Sequence, residues 1–195
     1  MNIKVALLLT FSLFVTKLVG QDNNDSTKNY SIHVGLYAPY VVQSGLRVGL
    51  SIPIKNWMSE TKRQETRIHF LDITPRFGYF VESDVQRNYF LDATFEYRWL
   101  ESDRKIHPKI GIGLGYMLSR QNTSGTLDLS SGDIEFDTRS LNFFVPTINI
   151  GFERNRKKFI GYYFSVFYGR KFTGQEVNSD FIGAEFGATF NMARK

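Results

Sequence analysis

Eight segments of this chain alternate between two kinds of residue at a period of two, and in every segment one parity carries no charge away from the segment ends. They fall at 30–39, 43–54, 66–80, 87–100, 107–120, 140–153, 158–171 and 179–193. A period of two sends successive side chains to opposite faces of a pleated strand. The pattern therefore predicts eight strands, each with a face whose central stretch excludes charge in a chain where 22% of residues are charged.

The apolar face is bulky. It runs from Val34 and Leu36 through Leu46, Val48, Phe77, Phe95 and Trp99 to Ile148, Tyr162, Val166, Ile182 and Phe186. The other face is small or polar and includes Gly35, Gly49, Ser51, Thr74, Thr94, Asn149, Gly187 and several charges of both signs. The stretch KIGIGLGYML (109–118) shows the contrast directly, with Gly111, Gly113 and Gly115 behind Ile110, Ile112, Leu114, Tyr116 and Leu118. Glycine weakens a strand because it packs nothing, so three in register mark a face with little room.

Eight antiparallel strands closed into a barrel enclose an interior only just wide enough for side chains. Small residues and a paired Arg/Asp/Glu network fit there; eight strands' worth of Phe, Tyr, Trp, Ile and Leu do not. The bulky face is thus expected outside, against lipid, where Arg or Lys near the midplane costs roughly 2–4 kcal/mol. The inverse arrangement, a secreted soluble barrel around an apolar ligand, needs all those rings inside.

The N-terminus, MNIKVALLLTFSLFVTKLVGQ, has a basic start at Lys4, an apolar core from Val5 to Val15 and a small residue, Gly20, before Gln21. Residues 1–20 are read as a secretory signal peptide and 21–29 as a flexible polar leader, leaving 30–195 as the barrel domain. Removing Lys4 and Lys17 lowers the formal charge from +5 to about +3. The basic clusters ERNRKK and TKRQETR lack aromatic interleaving, so nucleic acid is not an expected partner. The absence of cysteine removes disulfides, thiolate metal sites and a lipidated cysteine.

These features resemble the small eight-stranded outer-membrane barrels of Gram-negative bacteria, of the OmpA and OmpX type, over residues 30–195. The final strand FIGAEFGATFNM is similar to the one read by the barrel-assembly machinery, although the chain ends NMARK rather than on an aromatic residue. The resemblance implies an all-β, up-and-down transmembrane barrel in the outer membrane, monomeric, with both termini periplasmic. It implies contact with outer-membrane lipids and lipopolysaccharide, and with the assembly machinery during biogenesis.

The lumen charges Arg47, Asp72, Arg76, Asp92, Glu96, Arg98, Glu153 and Glu185 are expected to pair with one another, because a buried charge without a partner is costly. Such a network closes the lumen. Trp99 and Phe152 at one end and Tyr79, Tyr89 and Tyr168 at the other are expected to form two lipid-facing aromatic girdles, with Trp57, Tyr40 and Phe172 nearby. Pro75 and Pro146 remove ladder donors and are expected to mark bulges or kinks. The segment from Lys55 to Glu65 reads as a long linker.

For chemistry the chain offers three histidines, His33, His69 and His107. Ser31 and His33 suggest a serine nucleophile, as in the lipid A deacylases, but lie at the wrong end for an outer-leaflet substrate. No metal or cofactor is expected, and the chain is read as non-enzymatic, structural or adhesion-like. The alternatives are a lipid-modifying barrel enzyme and a soluble apolar-ligand barrel. The stretch 121–140 reads as a hairpin standing above the membrane that offers an edge to an extracellular partner. Its acidic residues Asp128, Asp133, Glu135 and Asp137 lack calcium-loop spacing.

Overall fold

The computed structural model describes residues 30–40, 43–60, 66–82, 86–101, 105–127, 134–154, 159–173 and 179–192. The expected signal peptide and leader lie outside them. Eight strands form one closed antiparallel barrel in chain order. They are β1 (Tyr30–Pro39), β2 (Gly45–Glu60), β3 (Thr66–Glu82), β4 (Gln86–Glu101), β5 (Ile106–Leu127), β6 (Ile134–Arg154), β7 (Ile160–Lys171) and β8 (Ser179–Met192). Closure is made by β1 on β8, paired from Tyr30↔Met192 to Pro39↔Gly183. A closed ring leaves no sheet edge, which is the condition for strands to stand in lipid.

The two faces separate as the alternation predicts. Leu36, Leu46, Ile112, Leu114, Ile150, Ile182 and Phe186 are exposed on the outside, while Arg47, Asp72, Thr74, Arg76, Asp92, Glu96 and Arg98 are buried within. Large apolar side chains are more numerous on the outside than in the lumen, the reverse of a soluble fold. The glycines of β5 have a concrete cause. A Cβ on Gly111 would lie 2.9 Å from Asn149 and Thr94, one on Gly113 would lie 2.6 Å from Thr147, and one on Gly115 would lie 2.5 Å from the Phe90 ring.

Three expectations are corrected. The segment after Lys55 is strand, not linker: β2 continues to Glu60 and pairs with β3 as far as Glu60↔Thr66. The register shifts fall between Pro53 and Lys55 and between Asn122 and Ser124. Pro75 and Pro146 therefore mark no bulge. Each faces a gap in one ladder instead: β2 and β3 skip from Gly49↔Arg76 to Ile52↔Ile73, and β6–β7 pairing stops at Thr147↔Gly169 apart from the bridge Phe144↔Phe172. A missing N–H removes a ladder bond without requiring an extra residue.

The third correction concerns the lumen, which is not uniformly small and polar. Tyr37, Phe80, Phe90, Met117, Phe143, Val145, Phe167 and Phe181 form a buried cluster inside it. The cluster sits towards the end where β5 turns into β6, called here the hairpin end; the other, where Tyr30 meets Met192, is the terminal end. Room for the rings comes from glycines directly across a ladder, in the pairs Gly45↔Phe80, Gly78↔Phe90, Phe167↔Gly183 and Gly169↔Phe181.

Because lumen glycines meet neighbours and outward residues meet only solvent or acyl chains, the two parities should respond differently to the same change of volume. Gly113→Val should destabilise by about 1–3 kcal/mol through overpacking, whereas Ile112→Val should shift stability much less. Urea titration of the folded electrophoretic band reads both.

Candidate functional site

The lumen charges assemble from six strands, β2 to β6 and β8. Arg47 on β2 donates from Nη2 to Asp92 Oδ1 at 2.6 Å and from Nη1 to Glu185 Oε2 at 2.9 Å. Both carboxylates have further donors: Thr94 Oγ1 reaches Asp92 at 3.0 Å and Tyr163 Oη reaches Glu185 at 2.5 Å. Arg98 on β4 pairs with Asp72 and, at 2.7 Å, with Glu153. Arg76 pairs with Glu96, whose Oε1 also lies 3.6 Å from Lys109 Nζ. The eight residues expected to share the lumen are therefore all inside it, each no more than 6% exposed.

Lys109 is the member that sequence reasoning missed. Its position opens the glycine stretch and has lumen parity, and its ammonium also lies 4.9 Å from the Tyr163 ring centroid. With it, four cations (Arg47, Arg76, Arg98, Lys109) meet five carboxylates (Asp72, Asp92, Glu96, Glu153, Glu185). Near-neutral pairing is what makes so dense a buried set tolerable.

Above the network, towards the hairpin end, the aromatic cluster closes the bore. Tyr37 is its hub, stacked on Phe167 with centroids 4.9 Å apart and on Phe90 at 6.2 Å. The Arg47 guanidinium lies 4.7 Å from the Tyr37 centroid, joining the ionic and aromatic halves. Lys171 caps the cluster, with its ammonium 5.0 Å from the Tyr40 centroid, 5.7 Å from that of Phe143 and 3.7 Å from Glu82. Tyr40 is thus part of the plug and not of a lipid-facing girdle. Its φ of 58° is a left-handed conformation uncommon for a non-glycine residue. The space between Arg47, Arg76, Asn149, Ser165 and Glu185 is a cavity of about 10 Å³, room for roughly one water.

The girdle residues all lie on the outer face. Tyr79 and Tyr89 face each other across β3–β4 with centroids 5.3 Å apart, and Tyr168 is exposed on β7 at the same end. At the terminal end Trp99 packs on Tyr97 and Phe152 on Phe164. His69 also faces outward there, in mutual ring contact with Trp57 and Tyr97. Ser59 Oγ lies 2.6 Å from its Nε2 and Tyr97 Oη 2.6 Å from its Nδ1.

Ser31 and His33 do not come together. Ser31 Oγ donates to Asn191 at 2.8 Å, while His33 Nε2 lies 2.8 Å from Ser51, which in turn lies 2.9 Å from Thr74. Both serines and the histidine are buried inside the barrel. Among the described residues no group of three or more His, Cys, Asp or Glu is arranged to hold a metal ion. Asp128 and Asp133 lie outside the described residues.

If the network is mutually required, breaking one member is costly and neutralising the set is not. Arg47→Met strands two buried carboxylates and should cost about 3–5 kcal/mol. Adding Asp92→Asn and Glu185→Gln should recover most of that loss. Unfolding midpoints in urea, compared across the single and triple variants, check it.

The chain matches no protein-family model and no curated protein. Among solved structures it is similar to Neisserial surface protein A, with 10% identity over 85% of this chain and 96% of that one and a TM-score of 0.47. It is similar to the outer-membrane enzyme PagL, with 18% identity over 83% of this chain and 98% of that one, TM-score 0.47. It is also similar to Ail, the attachment invasion locus protein of Yersinia pestis, with 13% identity over 85% and 99% and a TM-score of 0.39. These are likenesses of architecture, and no residue role passes from them to this chain.

Proposed function

We propose that the chain is an integral outer-membrane barrel of a Gram-negative bacterium, with a closed lumen and a structural or surface-interaction role rather than a catalytic one. The observation that carries this reading is the inversion of polarity: the outside is an apolar band and the inside an ion-paired and aromatic plug. Water offers such an exterior no stable state, whereas a bilayer does.

The interaction role rests on the β5–β6 hairpin. The β4–β5 ladder ends at Gln86↔Gln121, yet β5 and β6 continue paired to Leu127↔Ile134. Beyond Gln121 on β5 and before Phe144 on β6, each strand has only the other as a ladder partner among the described residues. Ten residues of β6, Ile134 to Phe143, thus have one backbone edge, about 30 Å long, without a ladder partner among the described residues. An extended segment of an extracellular partner adds to such an edge through main-chain hydrogen bonds.

A lipid-modifying enzyme is the second reading, favoured only by the Ser59–His69–Tyr97 chain on the outer face. Its imidazole is covered by Trp57 and has no carboxylate as its orienting partner in these contacts, so it acts as an interfacial anchor. A fluorophosphonate probe should leave the membrane-embedded protein unlabelled; labelling that Ser59→Ala abolishes would establish the enzymatic reading instead.

Three measurements test the main reading. Expressed protein should fractionate with the outer membrane and migrate differently with and without boiling, whereas recovery in the soluble fraction overturns it. In planar bilayers the protein should show no steady conductance, since the plug spans the bore. Replacing 122–139 with a short turn should leave the heat-modifiable band intact while reducing adhesion of expressing cells to protein-coated surfaces.

A further inference from the structure

The apolar exterior is not uniform. Between β4, β5 and β6 it holds an open groove of about 230 Å³, walled by Leu91, Leu114, Tyr116 and Phe144 over the small Ala93. The Asp92 side chain is turned into the lumen on Arg47 and Gly115 has none, so strand backbone forms the floor. The row level with Ala93 runs Pro75–Ala93–Leu114–Pro146, with a rigid proline at either end.

The rows above the groove change character within a few residues. The next towards the hairpin end is Leu91–Tyr116–Phe144, followed by Tyr89–Leu118–Asn142, where Tyr116 Oη donates to Asn142 Oδ1 at 2.6 Å. The row after that is Arg87–Arg120–Ser140. Arg87 and Arg120 are cross-strand partners on the outer parity, and both are exposed. Neither has an ion pair among the described residues. Like charges directly opposite on one face of a sheet repel, so the pair calls for an anion between them. Arg87 stands five residues from the groove floor at Asp92, about 16 Å along the strand.

We propose that this face binds one lipid carrying a phosphate monoester, its phosphate between Arg87 and Arg120 and the start of an acyl chain in the groove. The inference rests on the membrane-spanning reading above and adds the lipid class and its place. Two guanidiniums match a phosphate monoester, which carries between one and two negative charges at neutral pH, better than a singly charged diester. Guanidinium geometry also suits bidentate contact with phosphate oxygens. The Tyr79 and Tyr89 girdle, one row below the arginines, sets them at headgroup depth.

The test uses the full chain in nanodiscs containing phosphatidylcholine with equal minor fractions of phosphatidic acid and phosphatidylglycerol. Lipid retained on the protein is read by native mass spectrometry. One phosphatidic acid should be retained at least fivefold over phosphatidylglycerol. The preference should vanish in Arg87→Gln/Arg120→Gln and weaken in Ala93→Phe, which fills the groove without changing charge. Equal retention of the two lipids, or a preference that survives the arginine changes, overturns the proposal. So does a dimer without bound lipid that Ala93→Phe dissolves, since a second copy then fills the groove. The heat-modifiable band is followed in each variant: its loss in the unaltered chain would sink the membrane reading itself, whereas an intact band with unselective lipid sinks only the site.

Discussion

Closure of the backbone ladder is the constraint on which everything else depends. A strand in hydrocarbon has no water to satisfy its N–H and C=O groups. The ten consecutive pairs between β1 and β8 complete the ring begun by seven neighbouring ladders. Once the ring has eight members its bore is fixed, and the bore then decides which parity of each strand goes inside. The glycines, the ion pairs and the apolar exterior are three consequences of that one geometric fact.

Inside, the bore is filled in two different ways along its length. Around Arg47, Arg76, Arg98 and Lys109 the filling is ionic, and the cost of burial is offset because each cation meets a carboxylate. Towards the hairpin end the filling is aromatic, with rings lying over glycine on the adjacent strand. The halves meet where the Arg47 guanidinium lies against Tyr37 and Phe90. Shear between strands makes both fillings cooperative, since each side chain rests on residues from strands on either side.

The strands, the choice of face and the lumen charges were legible because a period of two is unambiguous over ten or more residues. The aromatic plug was not. Phe80, Phe90, Phe167 and Phe181 sit at strand ends, where girdle aromatics are also expected, and parity alone does not say that a bulky ring has room inside. The usable signal was glycine opposite phenylalanine in the neighbouring strand, as in Gly169 against Phe181. Finding it requires the register, which alternation within single strands does not supply. Lys109 was missed for a simpler reason: the stretch it opens was read for its glycines. The extension of β2 to Glu60 was hidden by the bulge after Pro53, which flips the parity partway along the strand.

The departures from a plain cylinder gather on three adjacent strands. The β6–β7 ladder ends at Thr147 with a single bridge beyond it, Pro146 stands at that break, and the groove opens on the other side of the same strand. From there β5 and β6 leave the barrel together. A segment with one ladder instead of two and little buried apolar surface belongs to the low-stability end of a structure. Because alternation separates outward from inward positions along each strand, such freedom outside need not disturb the ion pairs inside. Ring packing and ion pairs fill the bore, so the departures from regular pairing are confined to the wall and to the hairpin beyond it.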